Sequence, residues 1–124
     1  MNIQSVYSLS FSPTDNTRRV TNRIAQTLAE SLHVPFQEIP WTLPQERAEV
    51  RQFSSTDLVV VGGPTYAGKL PNKILRDYQN NLRGNGALTA AVVTFGNRSF
   101  DNSLAELCHT LEEGGFHTVA GGAF

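Results

Sequence analysis

Apolar residues recur along the chain with two periods, and the switches between them mark out the elements. Ile3 to Leu9 is a polar-interrupted apolar run of strand length. From Asn16 to Leu32 the spacing becomes helical. Val20, Ile24, Leu28 and Leu32 fall four apart with Ala25 and Ala29 beside them, which predicts one apolar stripe of an amphipathic helix. "HVPFQEIP" predicts a short strand limited by Pro35 and Pro40. "TLPQERAEVRQF" predicts a short helix, with Thr42 and Gln45 spaced as a capping box and Pro44 early in it. "DLVVVGG" is a continuous apolar run, as expected of a central parallel strand covered on both faces. Ile74, Leu75, Tyr78 and Leu82 mark a helix face beginning at Asn72, and "GALTAAVVTFG" is the next buried strand. Asp101 to Glu113 reads as a helix with Leu104, Leu107, Cys108 and Leu111 on its apolar stripe, closed by Gly114 and Gly115. "FHTVAGGAF" is the last strand.

This alternation of strand and helix predicts an open, doubly wound α/β sheet. In such sheets a ligand binds beyond the carboxyl ends of the strands, near the switch point. That directs attention to three loops. Composition narrows the rest. A length of 124 residues supports one domain, 1–124, with a real core. A net charge of -1 with scattered basic residues argues against nucleic acid. No apolar run approaches the ~20 residues of a membrane helix, and no signal peptide pattern opens the chain, so the expectation is a cytoplasmic protein with no membrane partner. The single cysteine, Cys108, fits a reducing compartment and a core thiol. His33, His109 and His117 have no paired spacing that demands a metal.

The loop after the third major strand, within "VVVGGPTYAGKLP", fits G-x-x-x-x-G-K from Gly63 to Lys69. A nucleotide P-loop needs Ser or Thr next, to ligate Mg²⁺, and Leu70 stands there. The P-loop reading therefore fails. A receiver domain of the same strand order needs an Asp where Gly62 and Gly63 stand, and that reading fails too. The first loop, "SFSPTDNTRR", offers Ser10, Ser12, Thr14 and Thr17 with Pro13 and Asn16 among them. One such residue suffices for a helix cap. Four hydroxyls at a helix N-terminus suit a phosphate, because free N–H groups and the helix dipole favour an anion there. The other two loops carry an aromatic each, Tyr66 between Pro64 and Gly68, and Phe100 in "TFGNRSFDNS". A pair of aromatics at one sheet edge can sandwich a flat ring.

Together "FSPTDNTRRV", "VVGGPTYAGKLP" and "FGNRSFDNSL" resemble the phosphate loop and the two flavin loops of flavodoxins. The likeness is strongest to the flavodoxin domain of flavodoxin–ferredoxin fusion proteins and spans nearly the whole chain. It implies five parallel strands in the order 2-1-3-4-5 and noncovalent FMN at the switch point. Ser12, Thr14, Asn16 and Thr17 would then hold the FMN phosphate, with Ser10 and Pro13 also in the cofactor site. Pro64, Thr65, Tyr66, Ala67 and Gly68 would lie on one side of the ring with Tyr66 stacking. Thr94, Phe95, Gly96, Asn97, Arg98 and Phe100 would lie on the other, with Phe100 stacking.

Three departures qualify the likeness. Asp15 stands where the family has glycine; Asp tolerates a left-handed conformation, but its charge opposes a phosphate unless it turns to solvent or pairs with Arg18 or Arg19. Ala67 puts a Cβ where a turned loop peptide often uses glycine, at a cost of roughly 1 kcal/mol. The sequence also stops at Phe124, immediately after the last strand, where a flavodoxin continues into a helix. The expectation is an apolar sheet face covered by a second copy, as a homodimer, or by another chain, unless the sequence is a truncated piece of a longer protein. The implied function is that of an FMN-binding electron carrier or redox domain with an unidentified redox partner protein, rather than a substrate-transforming enzyme. The alternatives are a cofactor-free interaction subunit on a degenerate flavodoxin fold, or a flavodoxin-like activator of manganese ribonucleotide reductase.

Overall fold

The computed structural model of the protein describes residues 2–65, 72–95 and 103–124. Within them the chain runs β1 (Ser5–Ser10), α1 (Asn16–Leu32), β2 (Phe36–Pro40), α2 (Pro44–Arg47), β3 (Arg51–Gln52), β4 (Asp57–Pro64), α3 (Asn72–Asn81), β5 (Leu82–Arg83), β6 (Leu88–Thr94), α4 (Ser103–Glu113) and β7 (His117–Ala123). Five long strands form one parallel sheet in the order β2-β1-β4-β6-β7, while β3 and β5 pair separately. Counting only the long strands, the order is 2-1-3-4-5, as the loop motifs implied.

Alternation along the central strands feeds two apolar layers. Leu9, Val59, Val61, Ala91 and Val93 face α3 and α4, where they meet Ile74, Tyr78, Leu107 and Leu111. Val6, Leu58, Val60, Ala90 and Val92 face α1 and meet Ala25 and Ala29. Both faces of β4 are therefore buried, which is why its sequence reads as an unbroken apolar run.

Helix α1 has the expected bounds, but its innermost line is shifted by one position. Thr17, Thr21, Ala25 and Ala29 are buried, whereas Val20, Ile24 and Leu28 are half-buried and Leu32 is 44% exposed. Small residues occupy the line of closest approach, and the bulkier ones flank it. Gly62 completes that contact: an added Cβ there would lie 2.1 Å from Thr21 Oγ1.

The cap of α2 also differs from the predicted Thr42–Gln45 box. Glu46 reaches back to accept the N–H groups of Thr42 and Leu43, at 2.9 and 2.8 Å. Pro44 starts the helix as expected, because its missing N–H is one that needs no partner there. At the end of α4, Gly115 takes φ +93°, and Phe116 N–H returns to Leu111 O. Cys108 packs half-buried against the core, and burial pushes its thiol pKa up.

Strand β7 lies at the sheet edge and is largely exposed, with Val119 at 58%. On the α1 face, Ile24, Ala90, Val92, Ala120 and Gly122 line a shallow apolar groove that reaches the Phe124 ring. No helix among the described residues is long and apolar enough to cross a membrane.

Candidate functional site

The carboxyl ends of β1, β4 and β6 lie side by side, which brings the starts of the three loops to one edge. Pro64 on β4 is in register with Thr94 on β6, and Thr65 N–H donates to Thr94 O at 2.7 Å. Phe95 N–H donates to Phe124 O at 3.0 Å, so the third loop leaves from the β6–β7 ladder. Tyr66, Ala67, Gly68, Gly96, Asn97, Arg98 and Phe100 lie outside the described residues.

The first loop is described in full. Asp15 takes φ 69°, ψ -9°, the left-handed conformation that glycine supplies most cheaply. Its carboxylate makes no helix cap. It pairs instead with Arg18 Nη1 at 3.2 Å. Arg18 at the same time grips Glu38 through Nε and Nη2, the latter at 2.9 Å. These hydrogen bonds hold the Glu38 carboxyl below its ordinary pKa and raise that of the Arg18 guanidinium. The acid at the glycine position is thus drawn sideways toward β2.

Three donors at the α1 N-terminus are open among the described residues. Asp15 N–H bonds Ser12 O at 3.3 Å and Arg18 N–H bonds Ser12 Oγ at 2.9 Å. The N–H groups of Thr14, Asn16 and Thr17 have no acceptor among the described residues. Thr14 and Asn16 are exposed, and Ser12 Oγ, which accepts from Arg18, keeps its own proton to donate. This donor set, without an uncompensated carboxylate in it, fits a phosphate group.

Not every hydroxyl of the predicted set is available. Thr17 and Thr94 are buried and hydrogen-bonded to each other at 2.7 Å, which ties α1 to the end of β6. Thr65 Oγ1 bonds Ser103 Oγ at 2.9 Å and ties β4 to α4. Ser10 is buried at the end of β1, and Pro13 is exposed.

Sequence reasoning missed the residues underneath the loop. Ser12 N–H donates to Thr42 Oγ1 at 2.9 Å, although Thr42 had looked like a helix cap. Arg47 is 5% exposed, and its guanidinium lies 5.3 Å from the centre of the Phe11 ring and donates to Asp77 at 2.7 Å and to Thr42 O. Tyr78 donates its hydroxyl to Gly62 O, accepts from Phe11 N–H, and stacks on Trp41. Its burial raises the phenol pKa. Lying 30 or more residues away in sequence, Arg47 and Asp77 leave no local signal of their pairing.

No protein-family model matches the sequence, and no curated protein matches it. Among solved structures the chain is similar to a "putative flavoprotein" from Bacteroides uniformis ATCC 8492, at TM-score 0.61 and 16% identity, over 99% of this chain and 92% of that one. At that identity the likeness establishes the fold. With the strand order, it places the protein in the flavodoxin-like class of α/β folds. Among the described residues no group of three or more His, Cys, Asp or Glu could hold a metal ion.

Proposed function

We propose that the protein is one flavodoxin-like domain that binds FMN at the carboxyl edge of its sheet and serves in electron transfer. The observation that carries this is the α1 N-terminus, where the N–H groups of Thr14, Asn16 and Thr17 have no acceptor among the described residues while Asp15 pairs with Arg18. Ser12, Thr14, Asn16 and the backbone of residues 14–17 bind the phosphate. Tyr66 and Phe100 flank the flavin ring, with Pro64 and Thr65 leading into one loop and Thr94 and Phe95 into the other. FMN, when bound, supplies the redox chemistry through its ring; the chain binds it, orients it and limits water around it. A structural neighbour called a flavoprotein supports a flavin as the ligand. The three loop motifs support FMN in particular, and the likeness to the flavodoxin domain of ferredoxin fusions.

The test is a titration of the purified apo-protein with FMN, followed by quenching of flavin fluorescence. Saturable one-to-one quenching at micromolar FMN or below is expected. A folded chain that leaves the fluorescence unchanged would overturn the proposal. One observation favours the cofactor-free reading in that case: Thr17 and Thr94 direct their hydroxyls to each other. The apolar groove beside β7 supports a covering chain, either a second copy or a redox partner, and sedimentation at increasing concentration tests the first.

A further inference from the structure

A continuous set of hydrogen bonds runs beneath the hydroxyl loop, from a helix on the opposite face of the sheet. Asp77 on α3 accepts from Arg47 Nε at 2.7 Å. Arg47 Nη1 donates to the carbonyl oxygen of Thr42. Thr42 Oγ1 accepts the Ser12 N–H at 2.9 Å, and Ser12 Oγ accepts the Arg18 N–H at 2.9 Å in the first turn of α1. Asn81, one turn beyond Asp77, donates to Arg47 O at 2.6 Å, so α3 grips this residue by both side chain and backbone. The Arg47 side chain is 6% exposed and that of Asp77 24%.

From this geometry we infer that the Arg47–Asp77 pair is a positioning device for the hydroxyl loop, setting its affinity for a phosphate without touching one. The inference rests on the flavin reading for its purpose, though its mechanics do not. A buried guanidinium needs partners, and desolvating it is costly unless they are good ones. Once placed, it fixes the Thr42 peptide at its carbonyl. The neighbouring Oγ1 then meets Ser12 N–H, and that peptide is held short of Pro13, which has no N–H of its own. Ser12 next accepts from Arg18 and aligns the start of α1. Loss of Arg47 releases Thr42 and lets the donors of residues 14–17 fan out; binding an anion must then re-order them.

Calorimetric titration of the full chain with FMN and with riboflavin separates the phosphate from the ring. R47M, D77N and T42V should each lower the ratio of FMN to riboflavin affinity by about tenfold, the weight of one well-placed hydrogen bond to an ionised group. Riboflavin binding itself should change little, and R47K should restore part of the ratio. The double variant R47M/T42V should lose no more than the worse single variant, because both cut one path. In the ligand-free chain, amide exchange at Ser12 should accelerate in R47M, although Arg47 does not contact that N–H. T42V keeps the side-chain volume and the buried ion pair, so it carries the test if R47M fails to fold. Unchanged ratios in folded variants, or unchanged Ser12 exchange in R47M, overturn the inference. A wild-type chain that binds neither ligand overturns the flavin reading and removes the purpose assigned to the pair.

Discussion

Substituting Gly62 by alanine should be among the most destabilising small changes in the molecule. Gly62 lies on β4 directly under α1, and its added Cβ would fall 2.1 Å from Thr21 Oγ1, 3.1 Å from Thr17 Cγ2 and 3.3 Å from Thr21 Cβ. The first distance is impossible for real atoms. The hydroxyl must swing away, breaking its 2.7 Å bond to Thr17 O, or α1 must lift off the sheet. Overpacking of this kind costs about 1–3 kcal/mol, and a lost buried hydrogen bond about 1 more, for a total of roughly 2–4 kcal/mol. In urea, at the ~1–3 kcal/mol per molar slope of a small protein, the midpoint should fall by about 1–2 M with the slope unchanged. Removing the obstacle should restore much of the loss. In G62A/T21A only the 3.1 and 3.3 Å contacts remain, which a few tenths of an ångström of adjustment relieve, so the double variant should be more stable than G62A alone. The reasoning is refuted if G62A costs less than about 0.5 kcal/mol, the range of an ordinary surface change, or if T21A adds to its loss.

The other predictions concern the charged loop and the core. D15A should cost about 1 kcal/mol in chemical denaturation, because φ 69° is a conformation Ala resists. D15N, which keeps a residue tolerant of that conformation and deletes one negative charge, should tighten FMN binding roughly three- to tenfold at low salt, an advantage that shrinks as salt is added. Glu38 is held below its ordinary value of 4.5, first by its hydrogen bonds from Arg18. Its folded pKa is thus the lower one, and the stabilisation is complete above about pH 4.5 and fades as pH falls through the folded value. Denaturation curves of wild type and R18M should therefore differ at neutral pH and converge on acidification; a constant difference down to pH 2 would contradict the pairing. Trp41, the sole tryptophan, is fully buried. Native emission should be blue-shifted and insensitive to iodide, and a red-shifted, quenchable native spectrum would contradict its placement between the sheet and α3.

Local pattern was enough for the elements that carry long apolar runs or strong punctuation. The unbroken run of β4 announced a central strand, because only burial on both faces tolerates it. Gly114 and Gly115 announced the end of α4, since φ +93° at Gly115 is hostile to most other residues. Asp15 was legible as a left-handed position whose charge needed either solvent or a pairing with Arg18 or Arg19; the structure combines the two, with the carboxylate paired to Arg18 and its side chain 56% exposed. The line of contact of α1 was misread, because hydrophobicity ranks Val20 and Ile24 above Thr17 and Thr21. Close approach to the sheet instead rewards small side chains, and that depends on Gly62 across the interface.

By itself the sequence determined the order of the five long strands and the helices, the positions of the three loops, and the hydroxyl-rich chemistry of the first, since each depends on neighbours a few residues apart. It missed the two-residue strands β3 and β5, reading Arg51–Gln52 and Leu82 as helical. Only the tertiary structure decided which polar side chains remain open: Thr17 meets Thr94 across 77 residues and is buried, while Thr14 and Asn16 are exposed. It also decided that Arg47 would be buried against Asp77 and Phe11, a placement that composition argues against in a residue usually left in water. The physical reason is the same in both cases. A polar group's role is set by the partner that satisfies it, and when that partner arrives from a distant strand or helix, nothing in the local sequence names it.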